Sequence, residues 1–581
     1  MNIKNLRVKK AAKAAAVFLP LLLAALCGCA KQEVVAINPI DLNYRFSQIK
    51  NEPPRREAAD PEIILYKDKY YLFASKSGGY WQSGDLANWK YIKFPKGFPT
   101  ENYAPTVEEI NGEIVYFASG CDSFWTTSDP ENAVWKRVKI DYPRRDTDPA
   151  LFKDDDGRVY IYYGCSPKDP IMGVEVDPKN NYKMIGEPVE LIGHGFKENG
   201  WEKSGWNNQD DRSGWNEGAN MIKYKGKYYL QYAAPGTQWR NYGDGVYVSD
   251  KPLGKFVYQK SSPFSSKRGG FIGAAGHGGI FRDKFGNYWH AASMLVGVRH
   301  GFERRLGLFP VFFDKDGGLF SPTEFTDRPF VIPQKKFDFS KADTSKNWNL
   351  LSYKKAVKAS SAAEKFAPEN AVDEQIETWW AAQTGNKGER LEIDLGSVCK
   401  IEAIHVNFAD EGFDVYDGGE VPVYRYKILI SKDGKAWSVA FDESQNQKDS
   451  PHPLKIFEKT QKARFVAIEN ARDMPGGKFS VSGLRVFGQS NAGKPAQVEN
   501  FEVKRDAADP RNIELTWDET PKAEGYILRW GTSAKKLFTA QTLRENKVKG
   551  SFLNTGTPYY FTVEAFNGSG AGKPSEVKEA K

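Results

Sequence analysis

Cysteine and histidine are scarce in this chain, with five and six among 581 residues. No C-x-x-C pair occurs, so zinc-ribbon and dithiol redox chemistry are excluded. No convincing long amphipathic helix follows the N-terminus, which argues against a helical bundle. The longest apolar run, Ala14 to Ala25, is too short to span a bilayer comfortably. Nor is there a strong charge of one sign. The net charge of +8 is spread along the chain, with no basic cluster interleaved with stacking aromatics. Nucleic acid is therefore not an expected partner. What the chain has is aromatic residues at 14%, with 53 glycines and 32 prolines. That composition favours strands and turns, and at this length three or four domains.

The organising feature is a repeated hairpin. It reads EIILYKDKYYLFAS from Glu62, TVEEINGEIVYFAS from Thr106, PALFKDDDGRVYIYY from Pro149, WNEGANMIKYKGKYYLQYAA from Trp215 and GGIFRDKFGNYWHAAS from Gly278. Each is an alternating strand, a tight turn and an aromatic strand. Units recurring at roughly 45–70 residues indicate a propeller or array. Five copies predict a five-bladed β-propeller with a central channel. Outer strands follow some hairpins, with Asp85, Asp129 and Asp250 as turn formers.

An ionisable residue precedes four of the five hairpins: Asp60, Asp148, Glu217 and His277, while Tyr103-Ala104-Pro105 precedes the other. Rotational repetition should bring these together at one axial mouth. His194 to Trp215 is Gly-, Asn- and Trp-rich without strand or helix period, and a long loop of that kind is often functional. It leads into Glu217 and should overhang the mouth. Trp201, Trp206 and Trp215 of this loop are expected sugar-stacking faces, and Tyr103, Trp125, Trp215 and Trp239 are expected to bind substrate. Arg304 and Arg305 should point to opposite faces of an extended segment, and Arg305 is expected to contact substrate.

The order ADP at 59–61, YAPTV at 103–107, DTDPALFKDDDG at 146–157, NEG at 216–218 and GHGG at 276–279 resembles glycoside hydrolase family 43. The resemblance covers about residues 55–335. It implies inverting hydrolysis of arabinofuranosides, xylosides or galactosides. It also implies Asp60 as general base, Glu217 as general acid and Asp148 as the residue tuning that acid. His277 matches a histidine that helps hold a calcium or other ion through water, though the chemistry itself requires no cofactor. Two residues depart from the pattern: Tyr103 stands where Trp is common, and Ala219 where Pro is common. An inverting glycosidase needs one protonated and one ionised carboxyl with room for water between them. A third carboxylate beside the acid raises its pKa by like-charge repulsion.

Lys4 to Lys13 is positively charged, an apolar run follows, and Leu26-Cys27-Gly28-Cys29 resembles a bacterial lipobox. The resemblance implies a signal peptide over 1–28, lipid on Cys29, and anchoring to the outer membrane on its periplasmic or exterior face. A tether over 29–57 is expected next, then the propeller over 58–335. Cys121 and Cys165 either pair or remain buried thiols. Residues 340–488 alternate in polarity and resemble a discoidin, or coagulation factor 5/8 C-type, β-sandwich, with 410–422 as a candidate glycan loop. Residues 498–581 resemble a fibronectin type III domain, expected as a spacer or docking module. The whole chain is thus expected to be all-β. The leading function is an exo-acting α-L-arabinofuranosidase on plant polysaccharides. β-Xylosidase, exo-galactosidase and a non-catalytic surface glycan-binding lipoprotein are the alternatives.

Overall fold

The computed structural model describes residues 33–47, 49, 51–140, 147–415 and 421–581. The signal peptide, Cys29, Asp146 of the DTDP motif and part of the 410–422 loop lie outside them. Among the described residues no helix is long and apolar enough to cross a membrane.

The hairpins are the inner halves of five sheets. Blade I comprises Glu62–Tyr66, Lys69–Phe73, Gly79–Ser83 and Trp89–Lys93. Blade II comprises Thr106–Ile110, Glu113–Phe117, Ser123–Asp129 and Val134–Lys139. Blade III comprises Ala150–Lys153, Val159–Tyr163, Ile171–Asp177 and Lys183–Ile192. Blade IV runs from Glu217–Tyr224 through Lys227–Ala234 and Gly243–Ser249 to Val257–Tyr258. Blade V runs from Gly273–Arg282 through Tyr288–Leu295 and Arg304–Phe313 to Leu319–Phe320. Each innermost strand neighbours the next, and the fifth returns to the first.

Turn chemistry fixes the register of these hairpins. Lys67-Asp68, Asn111-Gly112 and Lys225-Gly226 all have positive φ at both positions, the type I′ geometry that matches strand twist. Blades III and V use longer turns ending in Gly157 and Gly286 at φ +85° and +83°. Between the blades the aromatic strands pack into apolar cores. One holds Phe73, Tyr80, Ile114, Phe117, Phe124 and Ile161. Full burial of each such side chain contributes about 1.5–3 kcal/mol.

The expected tether is instead part of the fold from residue 34 onward. Val35–Ala36 pairs with Phe330–Val331. The amide of Asn38, fully buried, donates to Leu308 O and accepts from Leu308 N. Tyr44, Arg55 and Arg56 are also buried. Polar residues there read as linker, but their charges are consumed by partners. Arg56 binds Asp410 at 2.6 Å and Asp449 at 2.7 Å, both in the second domain.

The second domain is one sheet system around Arg390–Phe408, which pairs with both Leu454–Asn470 and Ser480–Gln489. The third has two sheets. One contains Glu502–Arg505, Ile513–Thr516 and Lys547–Gly550; the other contains Thr539–Leu543, Gly525–Gly531 and Tyr560–Asn567. Of the two expectations, spacer or docking module, the packing matches the second: its Trp517, Trp530 and Leu553 share a core with Tyr160, Trp201 and Tyr232 of the propeller.

Candidate active site

The site is built by one backbone device repeated around the ring. Asp60, Ala104, Asp148, Gly218 and His277 all adopt left-handed φ, between 47° and 63°. Each lies two residues before an equivalent inner-strand pair: Glu62–Phe73, Thr106–Phe117, Ala150–Tyr162, Asn220–Gln231 and Gly279–Ala291. Such conformations cost L-residues about 1–2 kcal/mol, and they persist where surroundings over-determine them. Here serines supply part of that hold. The Ala104 N–H donates to Ser75 Oγ (2.7 Å), the Asp148 N–H to Ser119 Oγ (2.8 Å) and the Asp60 N–H to Ser293 Oγ (2.8 Å). Each bond joins one blade to the next. In blade V the His277 N–H uses Asp244 Oδ1 instead, at 2.8 Å.

Glu217 does not share this position, contrary to the sequence reading. It sits one residue earlier, pairing with Ala233 as Gly276 does with Ser293. Gly218 takes the left-handed place because the His277 ring covers it; a Cβ there would meet ring carbons at 2.7 Å.

The side chains converge on a pocket of about 440 Å³. Its walls include Asp60, Tyr103, Asp148, Cys165, Trp215, Glu217, His277, Phe302 and Arg304. His277 Nδ1 lies 3.4 Å from Asp60 Oδ1 and 3.8 Å from Asp148 Oδ2. Ligand atoms of Asp148, Glu217 and His277 all lie within 4.8 Å of one another. Asp60 accepts from Ser75 Oγ at 2.6 Å and from Arg304 Nη1 at 3.4 Å. Glu217 Oε2 accepts from Trp215 Nε1 at 2.8 Å and from the Cys165 thiol at 3.2 Å, while Oε1 bonds the Tyr242 hydroxyl.

These surroundings separate the carboxyls. Burial pushes Asp60 up, but His277 and Arg304 with the two serines outweigh it and hold the carboxyl below its ordinary value. Asp148 is pushed up to about 7, by burial first, with Glu217 and Asp60 repelling its charge and His277 opposing. Burial disfavours the His277 cation, yet Asp60, Asp148, Glu217 and Asp244 raise it to about 9. At neutral pH the site therefore holds one firmly ionised carboxylate and one closely spaced carboxyl pair that resists double ionisation. An indole N–H can only donate, so Glu217 Oε2 is an acceptor and a proton on this carboxyl belongs to Oε1.

A family model for glycosyl hydrolases family 43 matches residues 54–319. The propeller belongs to glycosyl hydrolases family 43. The F5/8 type C domain model matches residues 356–482 and the fibronectin type III model 496–581. Among curated proteins, the chain is 23% identical over 269 residues to "Beta-D-galactofuranosidase xynD" of Aspergillus niger, spanning 40% of this chain and 72% of that protein. Similar solved structures include Bacteroides ovatus Xyloglucan PUL GH43B, with 14% identity, coverage of 94% and 99%, and TM-score 0.41. Another is an alpha-L-arabinofuranosidase from Clostridium thermocellum, with 19% identity, coverage of 48% and 94%, and TM-score 0.33. The chain thus carries a glycoside hydrolase domain.

Of the residues singled out from sequence, Asp60, Asp148, Glu217, His277, Tyr103 and Trp215 line the glycosidase pocket. Five others do not: Trp201 is buried in the core shared with the third domain, and Trp206, Trp125, Trp239 and Arg305 also lie outside the lining. Trp125 packs against Phe98 at 4.7 Å, within the aromatic core between blades. Trp239 lies outside the lining and meets Trp206 edge-on at 5.9 Å. Arg305 alternates away from its neighbour: its Nε donates to His452 of the second domain at 2.9 Å, while Arg304 faces Asp60. Cys165 belongs to the site and is a free thiol, as is Cys121. The candidate glycan loop starts at Asp410, which is committed to Arg56.

Sequence reading missed Tyr242, Phe302 and the serine belt. The belt had a signal, since Ser75, Ser119 and Ser293 close three of the five hairpins at the same place. Tyr242 had none, because it lies outside the repeat. The donor set near His277 offers two carboxylates and a ring nitrogen, whereas calcium takes six to eight oxygens. These residues do not by themselves build a calcium cage.

Proposed function

We propose that this glycoside hydrolase is an inverting exo-glycosidase removing terminal furanosides from plant polysaccharides, α-L-arabinofuranosyl residues first. The carrying observation is the division of carboxyls in one pocket: Asp60 held ionised, and Asp148, raised to about 7, within 4.8 Å of Glu217. In this reading Asp60 takes a proton from water as the water attacks the anomeric carbon. Glu217 gives its proton to the leaving oxygen from the opposite side. Asp148 keeps that proton in place through like-charge repulsion. Tyr103 and Phe302, edge to face at 6.3 Å, offer an apolar wall for the sugar ring. The Aspergillus niger relative is named for a galactofuranoside, a five-membered ring that differs from arabinofuranose by one exocyclic carbon, which supports a furanoside over a pyranoside.

A panel of nitrophenyl glycosides tests the assignment. The expected result is fastest turnover of the α-L-arabinofuranoside, with Glu217→Gln losing turnover of an arabino-oligosaccharide, whose leaving hydroxyl needs the acid. Preference for the β-xyloside or galactofuranoside corrects the sugar. Binding of glycan without turnover of any substrate overturns the enzyme reading in favour of a surface glycan-binding protein. The N-terminal lipobox supports anchoring through Cys29. The test is metabolic labelling with a fatty-acid probe, which Cys29→Ala should abolish.

A further inference from the structure

We infer that the fibronectin type III domain is a working part of the glycosidase, positioning its acid through the 194–215 loop. This rests on Glu217 being the general acid.

The connection is continuous. The segment from Ser551 to Thr555 of the third domain lies along the loop, with an antiparallel bridge between Asn199 and Asn554. Gly200 N donates to Leu553 O (2.9 Å), Thr555 N to Glu198 O (2.8 Å) and Ser551 N to Asn207 O (3.3 Å). The backbones approach so closely that a Cβ on Gly200 would meet Ser551 O at 2.5 Å. The buried amide of Asn554 donates to Lys260 O, Ser262 O and Tyr258 Oη, at 2.9–3.1 Å. Tyr258 Oη in turn accepts from Trp201 Nε1 at 2.9 Å. Arg511 donates to Phe196 O at 3.1 Å and to Asp211 at 2.9 Å. The Lys203 ammonium, itself buried, spans Ser551 Oγ and Asp211, both at 2.7 Å.

The loop has a short ladder of its own, in which Lys203 pairs with Gly214. The next residue is Trp215, whose indole holds Glu217 Oε2. The acid therefore follows the clamped Lys203–Gly214 pair by only three positions. The short ladder ties the loop to itself, and the contacts to the third domain tie it to the rest of the molecule, so Asn554 and Arg511 are positioning residues.

Leaving-group dependence tests this. General-acid help matters for a poor leaving group such as a sugar hydroxyl and hardly at all for dinitrophenolate. In the full-length protein, Asn554→Ala and Arg511→Ala should lower kcat on an arabino-oligosaccharide by about tenfold, a fraction of the 10²–10⁴ that acid catalysis supplies. Turnover of the dinitrophenyl arabinofuranoside should fall less than about twofold on the same grounds. Lys536→Ala, which cuts only the bonds from this domain to Asp314 and Asp316, should leave both rates unchanged. Equal losses on both substrates, or no loss on either by the folded Arg511→Ala protein, would overturn the inference. Absence of turnover of either substrate by the wild type would overturn the proposed function and this inference with it.

Discussion

Replacing Asp148 with Asn should slow the enzyme and at the same time change how its stability depends on pH. Asp148 is 6% exposed and pushed from 3.8 to about 7. That displacement corresponds to about 4 kcal/mol against the ionised form in the folded protein. Its sign is definite. Between pH 4 and 7 the folded state holds a proton that the unfolded state has released, so stability falls as pH rises through that window. The carboxamide of the Asp148→Asn variant carries no such proton. Relative to wild type, the variant should gain stability between pH 4 and 8, by at most about 4 kcal/mol, or roughly 10 °C in Tm for a propeller of this size. Activity should move the other way. The wild-type pair resists double ionisation; with an amide in place of the Asp148 carboxyl that resistance is gone, and the alkaline limb of kcat/KM should shift down. Rate at pH 7.5 should fall about 10²-fold, within the range for losing acid catalysis. Differential scanning at four pH values, with pH–rate profiles, reads both. A Tm difference that stays constant with pH, or an unmoved alkaline limb, would refute the electrostatic account of the pair.

Other outcomes follow from the same geometry. Glu217→Gln should lose about 10²–10⁴ in kcat on natural substrate while keeping its unfolding transition, since glutamine preserves the acceptor for Trp215. Ser75→Ala removes a donor to Asp60 and the acceptor for Ala104 N–H. It should raise the acidic limb of the pH profile and cost about 1–3 kcal/mol in denaturant unfolding. Arg56→Ala leaves the buried Asp410 carboxylate without its guanidinium and should destabilise by about 3–5 kcal/mol in the same assay. Chelation with EDTA should leave kcat within about twofold, because the proton-transfer roles fall to side chains.

Much of this architecture could be read from the chain because it repeats. Five hairpins of one pattern announce a ring, and a ring brings Asp60, Asp148 and His277 together without any knowledge of distances. The placement of Glu217 was legible only approximately: a left-handed glycine at Gly218 shifts the acid one residue along, and φ is not written in a residue name. Trp125 and Trp239 show the limit of aromatic reasoning. An indole in a β-rich chain packs a blade as readily as it faces a sugar, and only three-dimensional neighbours decide. Arg304 and Arg305 were correctly read as opposed, but alternation alone does not say which one faces the axis. The N-terminal segment from residue 34 was misread, and where the third domain docks was not legible, for a shared reason. Their polar residues find partners hundreds of positions away, such as Arg56 with Asp410 and Asn554 with Tyr258, and local composition carries no trace of that.

The claim on which the rest depends is that ionised Asp60 and a protonated Glu217 act together on one bond in a single displacement. Proton NMR of the sugar released in the first minutes of hydrolysis reads this directly. The anomer opposite to that of the substrate should appear first and then mutarotate. First appearance of the substrate's own anomer would mean a covalent intermediate and would contradict the assignment.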